Sequence, residues 1–400
     1  MSAAADELER HLAAFRRGAV DLVEERELAQ RLRERLERRQ GLRVKFGMDP
    51  SSPDLHVGHA IPLLKLRDLQ RLGHTIVLIV GDATARVGDP SGRNKLRPQL
   101  SRAEVEANLK TYTAQAGRVL DMSAAEVRHN SEWFDSMGFE DVLALAARMT
   151  VARMLERDTF NERVRSGEPI GIHELLYPLM QGWDSVQVRA DVELGGTDQL
   201  FNLLVGRRLQ EPMGQPPQVC LTTPLVNGLD GRKMSKSYGN AVGLTDSPKD
   251  MTFALMRLTD ESMGTWFTQL TRLSEEDVEA LLSGHPLEAK ARLAEEVTRT
   301  FWGEAAAREA REAFEREVRG GELPEDLPEL AWPPGEESLP LANLLRALGL
   351  VKSTSEARRL VQQGAVRVAG ELATDAMGMV ERPGGALLLQ VGKKRAARVR

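Results

Sequence analysis

The run Thr75-Ile76-Val77-Leu78-Ile79-Val80 narrows the fold more than any other stretch of the chain. Every position is apolar or β-branched, with no polar alternation, as in a strand buried on both faces. Its surroundings fit a parallel sheet. Residues 42–48 alternate and read as a strand. A Pro/Ser loop over 49–54 and a helix from about residue 57 to 72 lead into the buried run. Strand, helix, strand at this spacing is a βαβ unit. The pattern returns later as a strand at 191–195, a helix to Arg208 and a strand at 218–222. The expectation is an α/β chain with a doubly wound parallel-sheet, Rossmann-type domain.

The 400 residues exceed what one such domain needs, at about 150 residues per domain. Residues 6–40 read as amphipathic helices, 101–182 as a mainly helical insertion between two halves of the sheet, and the stretch to about 320 as more helices. Ser247-Pro248 has the form of an N-cap and first turn. Residues 322–337 hold Pro324, Pro328, Pro333, Pro334 and six acids, the chemistry of a linker. The expected divisions are therefore 1–245, 246–321, the linker 322–337 and an end module over 338–400. The net charge of −5 hides a contrast, because residues 338–400 carry +7 and the rest −12. A basic module on an acidic body fits nucleic acid held by one end. It fits a solubilising tail equally well on charge alone.

Several classes are excluded. Ile76 to Val80 is the longest run of branched aliphatic residues, far below the roughly 20 apolar residues of a membrane span. Residues 1–10 contain no apolar core of a secretory signal. The lone Cys220 excludes an internal disulfide or a multi-cysteine zinc site and is expected in a core strand. A reducing, cytoplasmic setting follows, with no structural metal.

Two loops carry chemistry. His56-Val57-Gly58-His59 stands where the first predicted strand leads into a helix. A helix N-terminus suits phosphate, and two imidazoles there can donate to it, while Gly58 leaves room for a flat base. Lys233-Met234-Ser235-Lys236-Ser237 follows the last predicted strand between Gly231 and Gly239. Two lysines on such a loop can close over a polyphosphate and act most strongly as the leaving group gains charge. Singly, each has a bland reading, as helix-capping residues or as a solvated loop. Together they lie at carboxyl ends of parallel strands, where open α/β sheets bind ligands.

This pair of motifs resembles the signature of the class I aminoacyl-tRNA synthetases. KFGMDPSSPDLHVGHA, the GDPSG of Gly88 to Gly92, the GGTDQ of Gly195 to Gln199 and the QGWD of Gln181 to Asp184 are similar, in order, to the bacterial tyrosyl-tRNA synthetases. The resemblance implies that tyrosine and MgATP give tyrosyl-adenylate and pyrophosphate, and that tyrosine then passes to the terminal ribose of tRNA(Tyr). The substrate carboxylate is the nucleophile, so the protein needs only to position groups and stabilise charge. By motif, Asp49, Thr84 and Asp89 would lie near the substrate amino group. Ser51, His56 and His59 would face the ATP phosphates and Gly58 the adenine. Arg93 and Arg97 would join Lys233 and Lys236 on pyrophosphate, unless they are simply exposed loop charges. Asp198 would hold the ribose, Gly195 and Gly196 would allow close approach, and Gln199 would sit near the reacting carboxylate.

Tyr177, Gln181 and Asp184 fall at i, i+4 and i+7, on one helix face. Asp184 can accept from the tyrosine hydroxyl, with Tyr177 and Gln181 toward the amino group. A buried group built for a hydroxyl rejects phenylalanine by about 10⁵-fold, for which tyrosyl enzymes are themselves the reference case. Lys45 stands where some relatives have a tyrosine. It is expected to meet the substrate hydroxyl and keep Asp184 ionised, or else to point out from a strand edge. Trp183 is expected to pack. Residues 339–380 resemble the S-four-like RNA-binding domain, with Ser353 capping a helix that carries Arg358 and Arg359. Lys352 precedes that helix and Arg367 sits on the next strand, all four basic groups facing RNA phosphate. Without aromatics in this module, shape and backbone recognition of folded RNA is expected. Relatives are homodimers. The rival readings are a tryptophanyl or other class I enzyme, a nucleotidyltransferase outside translation, and an RNA-binding factor that lost catalysis.

Overall fold

The computed structural model describes residues 3–49, 55–90, 102–235, 238–319, 327–392 and 395–400. They form two compact units, Met1–Ala307 and Arg308–Arg400.

In the first unit, six strands among the described residues form one sheet. They are β1 (Asp21–Val23), β2 (Arg43–Met48), β3 (Thr75–Val80), β4 (Glu126–His129), β5 (Val192–Gly196) and β6 (Val219–Thr223), in the order β1-β6-β5-β2-β3-β4. β2 to β6 are parallel, and β1 runs antiparallel to β6. From β2 the chain winds outward through β3 and β4, then crosses to the other side for β5 and β6. Winding reverses between β2 and β5, which opens a crevice at their carboxyl ends. The buried run behaves as its composition demands. Ile76 and Leu78 pack into the main core with the helix Val57–Arg71, while Val77 and Ile79 pack with Trp133, Val188 and Ala190. Alternate side chains thus enter two different cores.

Two strands differ from the sequence expectation. β1 is three residues between the charged helices Ala3–Arg16 and Glu25–Glu37, too short to show a period of its own. β4 (Glu-Val-Arg-His) lies inside the stretch read as a helical insertion. It pairs with β3 at the sheet edge, where polar side chains mask the alternation. Helices then run to Val188, ending with Ile172–Val188. That last helix lies close against Leu200–Gln210: a Cβ on Gly182 would come 3.0 Å from the backbone nitrogen of Gly206, so a larger residue would force the helices apart.

Ser247 caps the helix Pro248–Leu255, its hydroxyl accepting from the Asp250 N–H. The helices Met263–Leu270, Glu275–Ser283 and Pro286–Trp302 follow. Met251, Trp266, Val278 and Leu293 share one core with the sheet residues Val44 and Leu78. No break in packing marks the boundary expected at 245.

The second unit has its own core, built on the helices Leu341–Ala347 and Thr354–Gln362 and on short strands. Among the described residues the strands are β7 (Glu329–Leu330), β8 (Ser338–Pro340), β9 (Val366–Val368), β10 (Glu371–Leu372), β11 (Met379–Glu381), β12 (Leu387–Val391) and β13 (Arg395–Val399). Residues 327–337, read as linker, join this core. β7 pairs with β13, and Trp332 is buried with its indole N–H donating to the Glu336 carbonyl. Prolines break helices but do not prevent a segment from adding an edge strand.

Candidate active site

The two motif loops meet at the mouth of the crevice. The Val57 N–H donates to the Val242 carbonyl at 2.9 Å and the Leu244 N–H to the Leu55 carbonyl at 3.1 Å, so the return of the lysine loop pairs with the entry to the helix Val57–Arg71. His59 Nδ1 accepts from the His56 N–H at 3.2 Å. A neutral His59 then carries its proton on Nε2, and His59 is exposed. The two imidazoles lie 3.8 Å apart. A Cβ on Gly58 would lie 3.0 Å from the His56 ring and 3.4 Å from Met234 Sδ. Met234 is buried and anchors the loop beside Gly58, leaving Lys233 exposed.

Asn240, which the sequence did not single out, braces that loop. It accepts from the Ser235 N–H at 2.9 Å and donates to Asp230 at 2.7 Å and to the Lys233 carbonyl at 3.1 Å. Hydrogen bonds from Asn240 and Arg232 lower the Asp230 carboxyl to about 2. Ser51, Arg93, Arg97 and Lys236 lie outside the described residues.

A hydrogen-bonded chain lines the crevice beyond the β2 end. The Tyr177 hydroxyl donates to Asp49 at 2.7 Å, and Thr84 Oγ1 donates to the other Asp49 oxygen at 2.8 Å. Burial and Asp49 together raise the Tyr177 phenol well above its usual range. Asn130 Nδ2 reaches Thr84 at 3.1 Å and Asp184 at 3.4 Å, and Trp133 Nε1 donates to Asp184 at 3.0 Å. Asp184 is 3% exposed. Burial pushes its carboxyl up to about 7, against the pull of Lys45, Asn130 and Trp133.

Sequence reasoning missed Asn130 and Trp133. The available signal was a polar-aromatic cluster, His-Asn-Ser-Glu-Trp, directly after β4, but β4 itself went unseen. Ser131 holds this turn, donating its N–H and hydroxyl to Asp82. Trp183 packs as expected, among partly buried apolar neighbours.

At the β5 end, a Cβ on Gly196 would lie 2.6 Å from Asp198 Oδ1 and one on Gly195 3.0 Å from the Gln199 Cβ. Both glycines let the following turn fold back over the strand. Gln199 donates to Asp89 at 3.0 Å, joining the β5 turn to the loop after β3. Asn202 donates to Gln199 and to Gln181, each at 2.9 Å.

Lys45 departs from expectation. It neither points out from an edge nor pairs with Asp184. Lys45 and Glu193 are register partners on β2 and β5, both fully buried, with Nζ 2.9 Å from Glu193 Oε1. The ammonium also donates to the Gln181 carbonyl at 2.7 Å and to Ser185 Oγ at 2.8 Å. Its direct ion pair is with Glu193, and its pull on Asp184 is outweighed there by burial. Cys220 is buried on β6 as expected, and burial raises its thiol.

In the second unit, Ser353 caps the helix Thr354–Gln362. Lys352, Arg358, Arg359 and Arg367 are all exposed. Arg358 lies against Met377 Sδ at 3.5 Å, and Arg367, on β9, donates to the Gly370 carbonyl at 3.0 Å.

A doubly wound sheet with a histidine loop after β2 and a lysine loop after β6, closing on one crevice, defines a class of nucleotide-dependent acid-activating enzymes. The chain belongs to the class I tRNA synthetase (W and Y) family, whose model matches residues 37–318, with an S4 domain over 339–381. It is 50% identical over 391 residues to the tyrosine–tRNA ligase of Symbiobacterium thermophilum, covering 96% of this chain and 95% of that one. With the tyrosine–tRNA ligase of Thermotoga maritima it shares 47% over 398 residues, 98% and 97% of the two chains. The tyrosyl-tRNA synthetase of Archaeoglobus fulgidus, solved with L-tyrosine, superposes with a TM-score of 0.61 at 25% identity, covering 76% of this chain and 99% of that one. A C-terminally truncated mitochondrial tyrosyl-tRNA synthetase of Aspergillus nidulans gives 0.62 at 22% identity, covering 77% and 97%, a likeness of fold. No described helix is long and apolar enough to cross a membrane.

Proposed function

We propose that this chain is a tyrosine–tRNA ligase, which joins tyrosine to AMP and then to tRNA(Tyr). The observation that carries the reading is Asp184, a buried carboxyl held by Trp133 and Asn130 beside the crevice, in a fold of the tryptophanyl and tyrosyl kind. A substrate phenol can donate its hydroxyl to such a group, and the 50% identity to a tyrosine–tRNA ligase over nearly the whole chain favours tyrosine over tryptophan. Asp49, Tyr177 and Asp89 surround the place for the ammonium, leaving the carboxylate toward the mouth. There it attacks the α-phosphorus of MgATP, and pyrophosphate leaves. His56, His59 and Lys233 stabilise the charge that builds on the phosphates, joined by Arg93, Arg97 and Lys236, while Ser51 lies on the same phosphates. Gly58 lies under the adenine, and Asp198, with Gly196, takes the ribose. Magnesium arrives with the nucleotide.

The test is amino-acid-dependent ATP–pyrophosphate exchange with tyrosine, phenylalanine and tryptophan side by side. Exchange with tyrosine alone is expected. Exchange driven by tryptophan would overturn the pocket assignment. Folded protein that exchanges with none, yet binds RNA, would support the catalytically silent alternative.

The end module supplies the tRNA contact, through Lys352, Arg358, Arg359 and Arg367. Replacing Arg358 and Arg359 together with alanine is expected to lower kcat/KM for tRNA charging by about tenfold or more and to flatten its salt dependence by about two phosphate contacts, with exchange unchanged. Equal loss in both assays would remove that division of labour. The working protein is a cytoplasmic homodimer in this reading. Phe139, Leu143, Val151, Val164 and Ile172, from consecutive helices, are all more than half exposed, and large exposed apolar faces mark association surfaces. A monomer in sedimentation at micromolar concentration would refute it.

A further inference from the structure

Arg157 has no part in the assignments above, yet it is among the more constrained cations of the chain. It caps the helix Asp158–Ser166, and its side chain is only 4% exposed. Nη2 stands 3.5 Å from Asp89 Oδ1, and the guanidinium lies over the Phe160 ring at 5.4 Å. Neither terminal nitrogen makes a hydrogen bond among the described residues. A buried guanidinium left this way is unfavourable unless the arrangement serves something.

We infer that Arg157 is the positioning residue of the ammonium subsite: it fixes Asp89 in the orientation that receives the amino group of the substrate. The inference rests on the tyrosine-binding reading of this crevice. Asp89 is held from two sides. Oδ1 faces Arg157, and Oδ2 accepts from Gln199 at 3.0 Å. Gln199 is in turn held by Asn202, which also donates to Gln181. Arg157 therefore stands, through its ion pair with Asp89, at the end of a second polar chain that runs through Gln199 and Asn202 to Gln181.

The loop after β3 contains Pro90 and lies beyond the sheet, so β-pairing does not set the direction of Asp89. A charge pair with a group anchored on another helix does so. Because the direct ion pair of Arg157 is with Asp89, its effect is largest on ligands that bear an ammonium.

The test compares three ligands on the full-length protein: tyrosine, tyramine (ammonium, no carboxylate) and 3-(4-hydroxyphenyl)propionate (carboxylate, no ammonium). Affinities are measured by calorimetry or by inhibition of exchange for the wild type, R157M and R157K. R157M is expected to weaken tyrosine and tyramine alike, by about ten- to hundredfold, and to leave the propionate unchanged. R157K restores part of the loss, which keeps the test readable if R157M folds poorly. Three outcomes overturn the inference. The first is that R157M binds tyrosine as the wild type does; the second is that all three ligands weaken together, which is a packing role; the third is that tyrosine and the propionate weaken while tyramine does not, which makes Arg157 a reader of the carboxylate. A wild-type protein that binds none of the three overturns the tyrosine-site reading itself, and this inference with it.

Discussion

Asp184→Ala is expected to lower kcat/KM for tyrosine in pyrophosphate exchange by at least about a hundredfold, and to erase the preference for tyrosine over phenylalanine by a similar factor. The substrate hydroxyl loses a charged acceptor, and the Trp133 and Asn130 donors lose theirs, each a loss of about 1–3 kcal/mol in a buried site. Asp184→Asn separates shape from charge. Burial pushes this carboxyl up to about 7, so near neutrality it is about half protonated. Trp133 and Asn130 already donate to it, and a phenol that also donates selects the ionised form.

Wild-type kcat/KM for tyrosine should therefore fall by about tenfold per unit as pH drops below 7. The Asp184→Asn profile should be low and flat there. Stability runs the other way. A folded-state value raised from 3.8 to about 7 means that the native protein holds this proton more tightly than the unfolded chain does. The stabilisation is complete below about pH 4 and is lost as pH rises through 7. Unchanged exchange in Asp184→Ala, or a wild-type profile flat from pH 6 to 8, would refute the assignment.

The parts of this site that a reader of the sequence can see are those whose chemistry is local. A histidine pair at a strand-to-helix junction, a lysine pair on a glycine-flanked loop and a polar stripe at helical spacing each announce themselves within a few residues. Four of the five parallel strands, β2, β3, β5 and β6, are legible too: β3 by the continuous apolar run that burial on both faces leaves, the others by their place around a helix in a βαβ pattern. What stays hidden depends on pairing across the sheet. Asn130 and Trp133 follow β4, an edge strand of four residues whose polar positions resemble a turn. Arg157 looks like any helix-end arginine until the fold lays Asp89 beside it. Trp332 stands among prolines and acids that read as a linker, although a lone tryptophan in an acidic stretch is itself a sign of burial. The Lys45–Glu193 pair had a signal that went unused. Val44-Lys45-Phe46 and Val192-Glu193-Leu194 each insert one charge into an apolar strand, with opposite signs, and adjacent parallel strands bring the two together.

That pair carries the second large effect. Lys45→Met is expected to destabilise the protein by about 3–5 kcal/mol, because it strands the Glu193 carboxylate where no water reaches it. Glu193 is the hub of the layer between sheet and helix. Oε1 accepts from Lys45 and, at 3.1 Å, from Gln181 Nε2; Oε2 accepts from Ser185 Oγ at 3.0 Å and from Gln218 Nε2. Lys45 ties the same layer from the other side through the Gln181 carbonyl and the Ser185 hydroxyl. The helix so fastened carries Tyr177, Gln181 and Asp184, so its loosening should also raise the KM for tyrosine. Replacing both members, as in K45M with E193M, removes charge and counter-charge together and should regain most of the loss, since a buried ion pair exchanged for apolar side chains of similar volume is often nearly neutral. Urea unfolding of the two single variants and the double, with m-values compared, reads this directly. A Lys45→Met variant within about 1 kcal/mol of the wild type would mean that Glu193 takes up a proton on losing its partner, and that the layer is held by its neutral hydrogen bonds.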